Sequence, residues 1–377
     1  MYEYIDSEDQ LRSFVNDIKD VDWIALDTEF IREKHYYAEL CLVQVATKDR
    51  LVCIDPMAIK DLSAFAEILN NSKIIKVLHA AFQDLEIFYN LFERVPAPIF
   101  DSQLAAAVLG IGDQIGYARL IQDCLKVQLE KSQSRTNWAQ RPLSTKQLDY
   151  AIDDVRYLRE VYPMLIEKLE KLGRTTWLDK DFDYLTEAST YEADLRTIWQ
   201  KVKGSQRLKP KQLAVLRELG DWRESMAIKK NLPRRWMASD DVLLEIAQQM
   251  PQQPSDFSHF RGLNENNPHI KDWIQCVEIG LAVPDDEWPR IAKFNKPTEQ
   301  QALLIDLLML IVRHQGVANN ISPAVIAGRK RVEKMLLAGE TSLSNDWRGH
   351  LVNEQFQEVL TGEAKISVED ARKVVIN

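Results

Sequence analysis

The sequence is poor in cysteine, in phosphate-loop triplets, in long apolar runs and in positive charge, and each shortage removes a class of function. Only four cysteines occur in 377 residues: Cys41, Cys53, Cys124 and Cys276. They stand far apart inside apolar runs, so neither zinc-ligand spacing nor a disulfide framework is present, and they read as buried free thiols. No Gly-Lys-Ser or Gly-Lys-Thr triplet occurs, which removes the P-loop signature of nucleotide-driven motors. The longest apolar run, Ala302 to Val312, is broken by Asp306 and is too short to span a bilayer. The opening MYEYIDSEDQLRSF has no basic stretch followed by an apolar one. The expectation is therefore a cytoplasmic protein with no membrane contact. A formal net charge of -9 argues, at face value, against a polyanionic partner.

What is present redraws that first picture. A length of 377 residues, 45% of them apolar, predicts two or three domains, each able to bury a core. The charge is unevenly spread: residues 1 to 172 hold 28 acidic and 20 basic side chains, the remainder 29 and 28. Within the second half, Gln200 to Trp236 carries 11 basic residues against three acidic ones, a local +8. Lys229, Lys230, Arg234 and Arg235 end that stretch beside Trp236, the composition of a backbone-gripping surface with a ring on which a base could stack. A solvated helix face has the same composition.

Secondary-structure signals change along the chain as well. WIALDTEF (23 to 30), LCLVQVA (40 to 46), LVCID (51 to 55) and IIKVLH (74 to 79) read as strands, with helical periodicity at 62 to 69 and 85 to 92. After Ser144 the period stays near 3.6 residues, so the C-terminal half is expected to be all α. An offset of 89 residues superposes Asn231 on Asn320 and Ala238 on Ala327, compatible either with two copies of one helical domain or with a single larger bundle.

Three groups of carboxylates could carry chemistry. Asp27 and Glu29 sit two apart in a strand-like run, so their side chains share a face, where two acids repel unless a hard cation lies between them. Tyr150 and Asp154 are four apart on a predicted helix and share one face, with Asp153 directed elsewhere. Asp84, in HAAFQDLEIF, falls near the start of a helix that follows a strand, and His79 reads as a packing residue at the strand end. Singly, each motif also fits an ordinary strand end, helix cap or surface acid.

Taken together and in this order, D-x-E, H-A-x-x-x-D-L-E and Y-x-x-x-D resemble the DEDD superfamily of 3′–5′ exonucleases, in the branch marked by tyrosine. LCLVQVA, SRTNW (134 to 138) and RPLS (141 to 144) make the stretch from Trp23 to Leu158 similar to ribonuclease D, and residues 213 to 247 resemble the helical HRDC module. The resemblance implies a ribonuclease H-like α/β exonuclease domain, a mixed sheet flanked by helices, over residues 1–205. It further implies an HRDC domain over 206–290 and a second HRDC-like helical domain over 291–377. It places the catalytic set on Asp27, Glu29, Asp84, Tyr150 and Asp154, with the four acids holding two divalent ions, Mg²⁺ or Mn²⁺, and Tyr150 orienting the attacking water. A phenol with a pKa of about 10 is a poor general base at neutral pH, which favours orientation over proton removal. The implied activity is release of nucleoside 5′-monophosphates from RNA 3′ ends, with transfer-RNA precursors as substrate and a monomeric enzyme. A DNA 3′–5′ exonuclease and an inactive HRDC-type nucleic-acid-binding protein are the alternatives.

Overall fold

The computed structural model describes residues 2–129, 136–260, 263, 267–291, 296–369 and 373–376. Ser134 and Arg135 of the SRTNW motif lie outside the described residues. The chain divides into two compact units, one of residues 1–30, 40–190 and 294–377, the other of residues 31–39 and 191–293.

The first unit is built on a six-stranded sheet of order β1-β4-β3-β2-β5-β6, comprising β1 (Glu3–Ile5), β2 (Trp23–Ile31), β3 (Glu39–Ala46), β4 (Leu51–Ile54), β5 (Ile75–Leu78) and β6 (Ile99–Asp101). The sheet is mixed: β1 runs parallel to β4 and β5 parallel to β2 and β6, whereas β3 and β4 pair antiparallel. Central strands of such a sheet are covered on both faces, and Ile24, Ala25 and Leu26 of β2 are accordingly all buried. The four strands legible in the sequence are β2 to β5. The three-residue edge strands β1 and β6 are too short to carry a period-2 pattern.

Helices α1 (Glu8–Ile18), α2 (Ser63–Leu69), α3 (Phe82–Phe92), α4 (Ser102–Val108), α5 (Tyr117–Leu125), α6 (Thr145–Arg156), α7 (Leu158–Lys171) and α8 (Asp179–Thr186) complete the N-terminal part. Helix α6 begins with a full capping box, in which the Ser144 and Gln147 side chains each bond the other's backbone N–H, so its register is fixed at the first turn. One strand carries a buried cation. Lys76 of β5 has no solvent exposure, and its ammonium donates to the carbonyls of Asn71 (3.0 Å), Ile74 (2.7 Å) and Ala97 (2.5 Å). Burial lowers this amine to about 7.

The second unit contains α9 (Pro210–Lys230), α10 (Arg234–Met237), α11 (Asp240–Gln249) and α12 (Ile270–Ala282). Val215, Leu216, Leu219, Leu243, Ile246, Phe257, Trp273 and Val277 form its core. Helices α9 and α12 approach closely at a glycine: a Cβ on Gly280 would lie 2.6 Å from Cα of Val215. Residues 31–39 belong to this unit, where the backbone N–H of Tyr37 donates to Asn231 Oδ1 at 3.0 Å.

Helices α13 (Glu299–Ala318), α14 (Pro323–Ile326), α15 (Arg329–Leu337) and α16 (Trp347–Thr361) follow, and they belong to the first unit with the sheet. Arg174 joins the two parts, donating to the carbonyls of Val108 and Asn319, each at 2.7 Å. Its guanidinium lies 4.8 Å from the Trp177 ring centroid, and Trp177 stacks on Trp347 with centroids 4.4 Å apart. Helix α13 extends beyond the apolar run read from the sequence and by length and composition alone could cross a membrane. Here Ile305, Leu308, Ile311 and Val312 are buried, with α13 packed on α15 and α16.

The expectation of an all-α second half needs one correction. An antiparallel hairpin of β7 (Ile366–Glu369) and β8 (Lys373–Ile376) closes the chain. Its β-branched residues, Ile366, Val368, Val374 and Val375 among them, favour extended backbone, but two four-residue runs after a long helical stretch do not stand out as periodic.

Gly280→Ala is expected to destabilise the second unit by about 1–3 kcal/mol, because backbone rather than a flexible side chain meets the added methyl. Thermal unfolding followed by circular dichroism checks this, and a melting curve superimposable on the parent's would refute the close approach.

Candidate active site

The site forms where β2 leaves the apolar centre of the sheet. After Ile24, Ala25 and Leu26, the strand presents Asp27 and Glu29 on one face, and α6 supplies Asp154. One carboxylate oxygen from each of Asp27, Glu29 and Asp154 lies within 4.8 Å of the others. Thr28, between the two strand acids, donates its hydroxyl to Asp84 Oδ1 at 2.5 Å. Asp84 therefore sits beside the three-acid cluster and outside it, on the first turn of α3.

Electrostatics follow from this crowding. Burial, reinforced by the charges of Asp154, Asp84 and Glu29, drives the Asp27 carboxyl well above the ordinary value. Burial, with Asp154 and Asp84, pushes Glu29 up to about 9. Asp154 rises to about 7 through burial and then the charges of Asp153 and Asp84. Asp84 rises to about 6, where burial outweighs the lowering effect of the Thr28 hydroxyl. Tyr150, on the same helix as Asp154, is pushed up to about 12, first by burial and then by the charges of Asp154, Glu29 and Asp27, so it is a neutral donor at physiological pH.

Three carboxylates and no soft donor make a ligand set for a hard divalent cation. The residues present fit that group: each acid is raised toward its protonated form by burial and then by its neighbours, and a cation would offset both effects.

Several supporting residues carried no signal in the sequence. Thr28 is hidden inside the D-x-E motif as its variable position. Asp101, at the end of β6, accepts hydrogen bonds from the backbone N–H groups of Ala80 (3.2 Å) and Ala81 (2.8 Å) while also capping α4. It holds the β5–α3 turn in which Ala80 adopts a left-handed φ of 57°. An aspartate before Ser-Gln in the sequence reads only as a helix cap. His79 packs as a strand-end residue, its Nδ1 2.9 Å from Ser102 Oγ and its Nε2 3.0 Å from the Ile115 carbonyl. Tyr117 donates to the Asp153 carbonyl at 2.8 Å and so steadies α6.

The basic residues singled out from the sequence lie in the second unit. Lys229 and Lys230 are exposed at the end of α9, and Trp236 is 53% exposed. Arg234 is differently placed. Its Nε and Nη2 each donate to the Glu224 carboxylate at 2.5 Å, Tyr36 donates its hydroxyl to the same group, and the guanidinium lies 4.7 Å from the Tyr36 ring centroid. The Glu224 side chain is fully buried, so the charge of Arg234 is largely spent on it. Arg234 and Arg235 both border a cleft of about 880 Å³ within this unit, with Lys201, Lys203, Arg207, Asp240 and Asp241 also on its wall. The three connector cations precede the segment that resembles the helical module.

Comparison with known proteins adds the following. A 3′–5′ exonuclease family model matches residues 2–170 and an HRDC domain model matches residues 212–276. The ribonuclease D of Bartonella henselae is 39% identical over 353 residues, covering 92% of this chain and 87% of that protein. The ribonuclease D of Sphingobium indicum is 36% identical over 359 residues, covering 93% of this chain and 92% of that protein. The crystal structure of Escherichia coli RNase D, an exoribonuclease involved in structured RNA processing, superposes with a TM-score of 0.85 at 29% identity, covering 96% of this chain and 99% of that one.

Cation binding should depend on pH in a defined direction. Raised folded-state pKa values mean that the metal-free folded protein retains protons that the unfolded chain releases near 4. The associated stability is fully present below that point and is lost as pH rises through about 6 for Asp84, 7 for Asp154 and 9 for Glu29. Mg²⁺ or Mn²⁺ should therefore raise the melting temperature more at about pH 8.5 than at about pH 5.5, and calorimetry in two buffers should show proton release on binding. A gain in melting temperature independent of pH would contradict the assignment.

Proposed function

The chain belongs to the ribonuclease D family of metal-dependent 3′–5′ exoribonucleases, and from that premise we propose that it shortens RNA one nucleotide at a time at the site formed by Asp27, Glu29, Asp84, Tyr150 and Asp154. The observation that carries this reading is the convergence of Asp27 and Glu29 of β2 with Asp154 of α6.

In this reading Asp27, Glu29 and Asp154 would hold the two divalent cations, with Asp84, placed by the hydrogen bond from Thr28, supporting them. Bound cations would supply the positive charge that the phosphodiester transition state requires and would acidify the attacking water. The protein's own part is positional. The carboxylates fix where that charge sits, and they repel a phosphate until they are neutralised. Tyr150, held neutral by its surroundings, donates a hydrogen bond rather than removing a proton, and so aligns the nucleophile with the scissile phosphorus. Products leave as nucleoside 5′-monophosphates.

The grip on RNA away from the scissile bond is assigned to the second unit. Lys229, Lys230 and Arg235 are available for phosphate contacts, with Trp236 offering a face for stacking. Lys201, Lys203 and Arg207 extend that surface around the cleft. Arg234 serves mainly to neutralise Glu224, so reversing its charge would damage the fold along with any RNA contact. Helices α13 to α16 are assigned as a second HRDC-like module, and the enzyme is proposed to be monomeric and cytoplasmic. Structured RNA with a short 3′ trailer, as in transfer-RNA precursors, is the proposed substrate.

Asp27→Asn and Asp154→Asn should each abolish Mg²⁺-dependent mononucleotide release from a 5′-labelled RNA, while Tyr150→Phe should slow it and leave metal binding intact. Near-parental rates in either acid variant would overturn the site. A matched DNA oligonucleotide run in parallel tests whether the 2′-hydroxyl is read. Replacing Lys229, Lys230 and Arg235 with glutamine should weaken RNA binding and flatten its salt dependence by roughly 0.7 for each phosphate that the variant no longer neutralises. An unchanged slope would remove these residues from the interface.

A further inference from the structure

One side chain outside the acid cluster makes more hydrogen bonds than any group within it. Arg141 lies in the turn ahead of α6, and its guanidinium is saturated. Nε donates to Asp55 Oδ2 at 2.7 Å and Nη2 to Asp55 Oδ1 at 2.6 Å, a bidentate pair. Nη2 also donates to the Cys41 carbonyl of β3 at 2.6 Å. Nη1 donates to two carbonyls of its own turn, those of Trp138 at 2.8 Å and Gln140 at 2.9 Å.

The far end of this network is rigid. The Asp55 side chain is 4% exposed and follows directly on β4; it also accepts the Tyr4 hydroxyl at 2.6 Å and the Met57 backbone N–H at 3.0 Å. Burial alone would raise the Asp55 carboxyl, but hydrogen bonds from Arg141 and Tyr4 outweigh it and hold the group below the ordinary carboxylate range. Arg141 thus carries a fixed charge pair at the sheet, with β3 as the direct neighbour of β2.

The near end reaches Tyr150. Trp138, whose carbonyl Arg141 holds, is buried, and its ring centroid lies 6.2 Å from that of Tyr150 with the planes tilted by 32°. Three residues after Arg141, Ser144 caps α6, the helix that carries Tyr150. Indole and phenol are therefore packed together by a turn whose own carbonyls are pinned by the residue that pins the turn to the sheet.

We infer that Arg141 is a positioning residue for Tyr150: by bridging Asp55 and the Cys41 carbonyl to the Trp138 turn, it fixes the indole that sets where the Tyr150 hydroxyl points. The inference rests on the proposed role of Tyr150 at the site. A guanidinium is required because the fork must meet both Asp55 oxygens and three carbonyls at once, which an ammonium cannot do.

The test uses the full chain and 5′-labelled RNA. Arg141→Ala should lower kcat by about tenfold to a hundredfold, the scale on which misplacing a reacting group acts, with KM for RNA changed less than about twofold. Calorimetric Mn²⁺ binding, which depends on the acids, should match the parent. In a Tyr150→Phe background the same substitution should cost less than about threefold further, because the hydroxyl it positions is gone. Arg141→Lys should recover only part of the loss.

Unchanged kcat in Arg141→Ala, loss of Mn²⁺ binding, or an undiminished effect in the Tyr150→Phe background would each overturn the inference. Should Arg141→Ala fail to fold, Asp55→Asn loosens the fork while keeping an acceptor, and the same comparison with Tyr150→Phe decides. Failure of the parent to release mononucleotides would instead refute the functional reading, a result separable from all of these.

Discussion

Everything about this fold near the site answers one problem, the mutual repulsion of carboxylates that have to stay together. Three oxygens within 4.8 Å, if ionised, repel by roughly 3 kcal/mol per pair at an effective dielectric near 20. An unsupported strand and helix would separate to relieve this. Here β2 is locked between β3 and β5 in the sheet, and α6 is held by its capping box, by Tyr117 at the Asp153 carbonyl and by the Arg141 turn. The apolar faces of both elements are buried, so separation would also expose core. Held in place, the acids respond to burial and then to one another's charge by raised carboxyl pKa values rather than by movement.

Asp84 illustrates how finely the crowding is managed. Its nearest hydrogen-bonding partner is Thr28, the residue between the two strand acids. Thr28 bonds Asp84 while its neighbours Asp27 and Glu29 join Asp154, so one short segment of β2 contacts both the three-acid cluster and the fourth acid. In the motif D-T-E the middle residue thus has a contact of its own, to Asp84, and is not a mere spacer.

Much of this was legible in the residues. Runs with continuous Val, Ile and Leu marked β2 to β5 because central strands are buried on both faces, and the i, i+4 spacing of Tyr150 and Asp154 placed them on one face of α6. Those signals are local. What stayed hidden depends on partners far away in the chain: Lys76 reads as an ordinary polar interruption in a strand until Ala97 arrives to accept its ammonium, and Arg141 reads as a loop cation until Asp55, 86 residues earlier, is folded beneath it. Arg234 shows the converse, since its composition suggested an open cationic surface and only the buried Glu224 reveals where most of that charge is used. The closing hairpin was missed for a different reason, being too short for any period to show.

The division of the chain into units bears on whether the helical part could be cut away. The polypeptide passes between the two units four times, because residues 31–39 leave the sheet between β2 and β3 to join the helical unit that the chain reaches again only after residue 190. A module acquired by simple addition at a terminus is joined by one peptide link and can be cut away at that link. This one cannot: removing residues 191–293 would leave Tyr36 and Tyr37 with no Glu224 or Asn231 to receive them, on a segment spliced between two strands of the catalytic sheet. The helical unit is therefore not a detachable terminal module: its packing includes a segment that the sheet's own strands deliver.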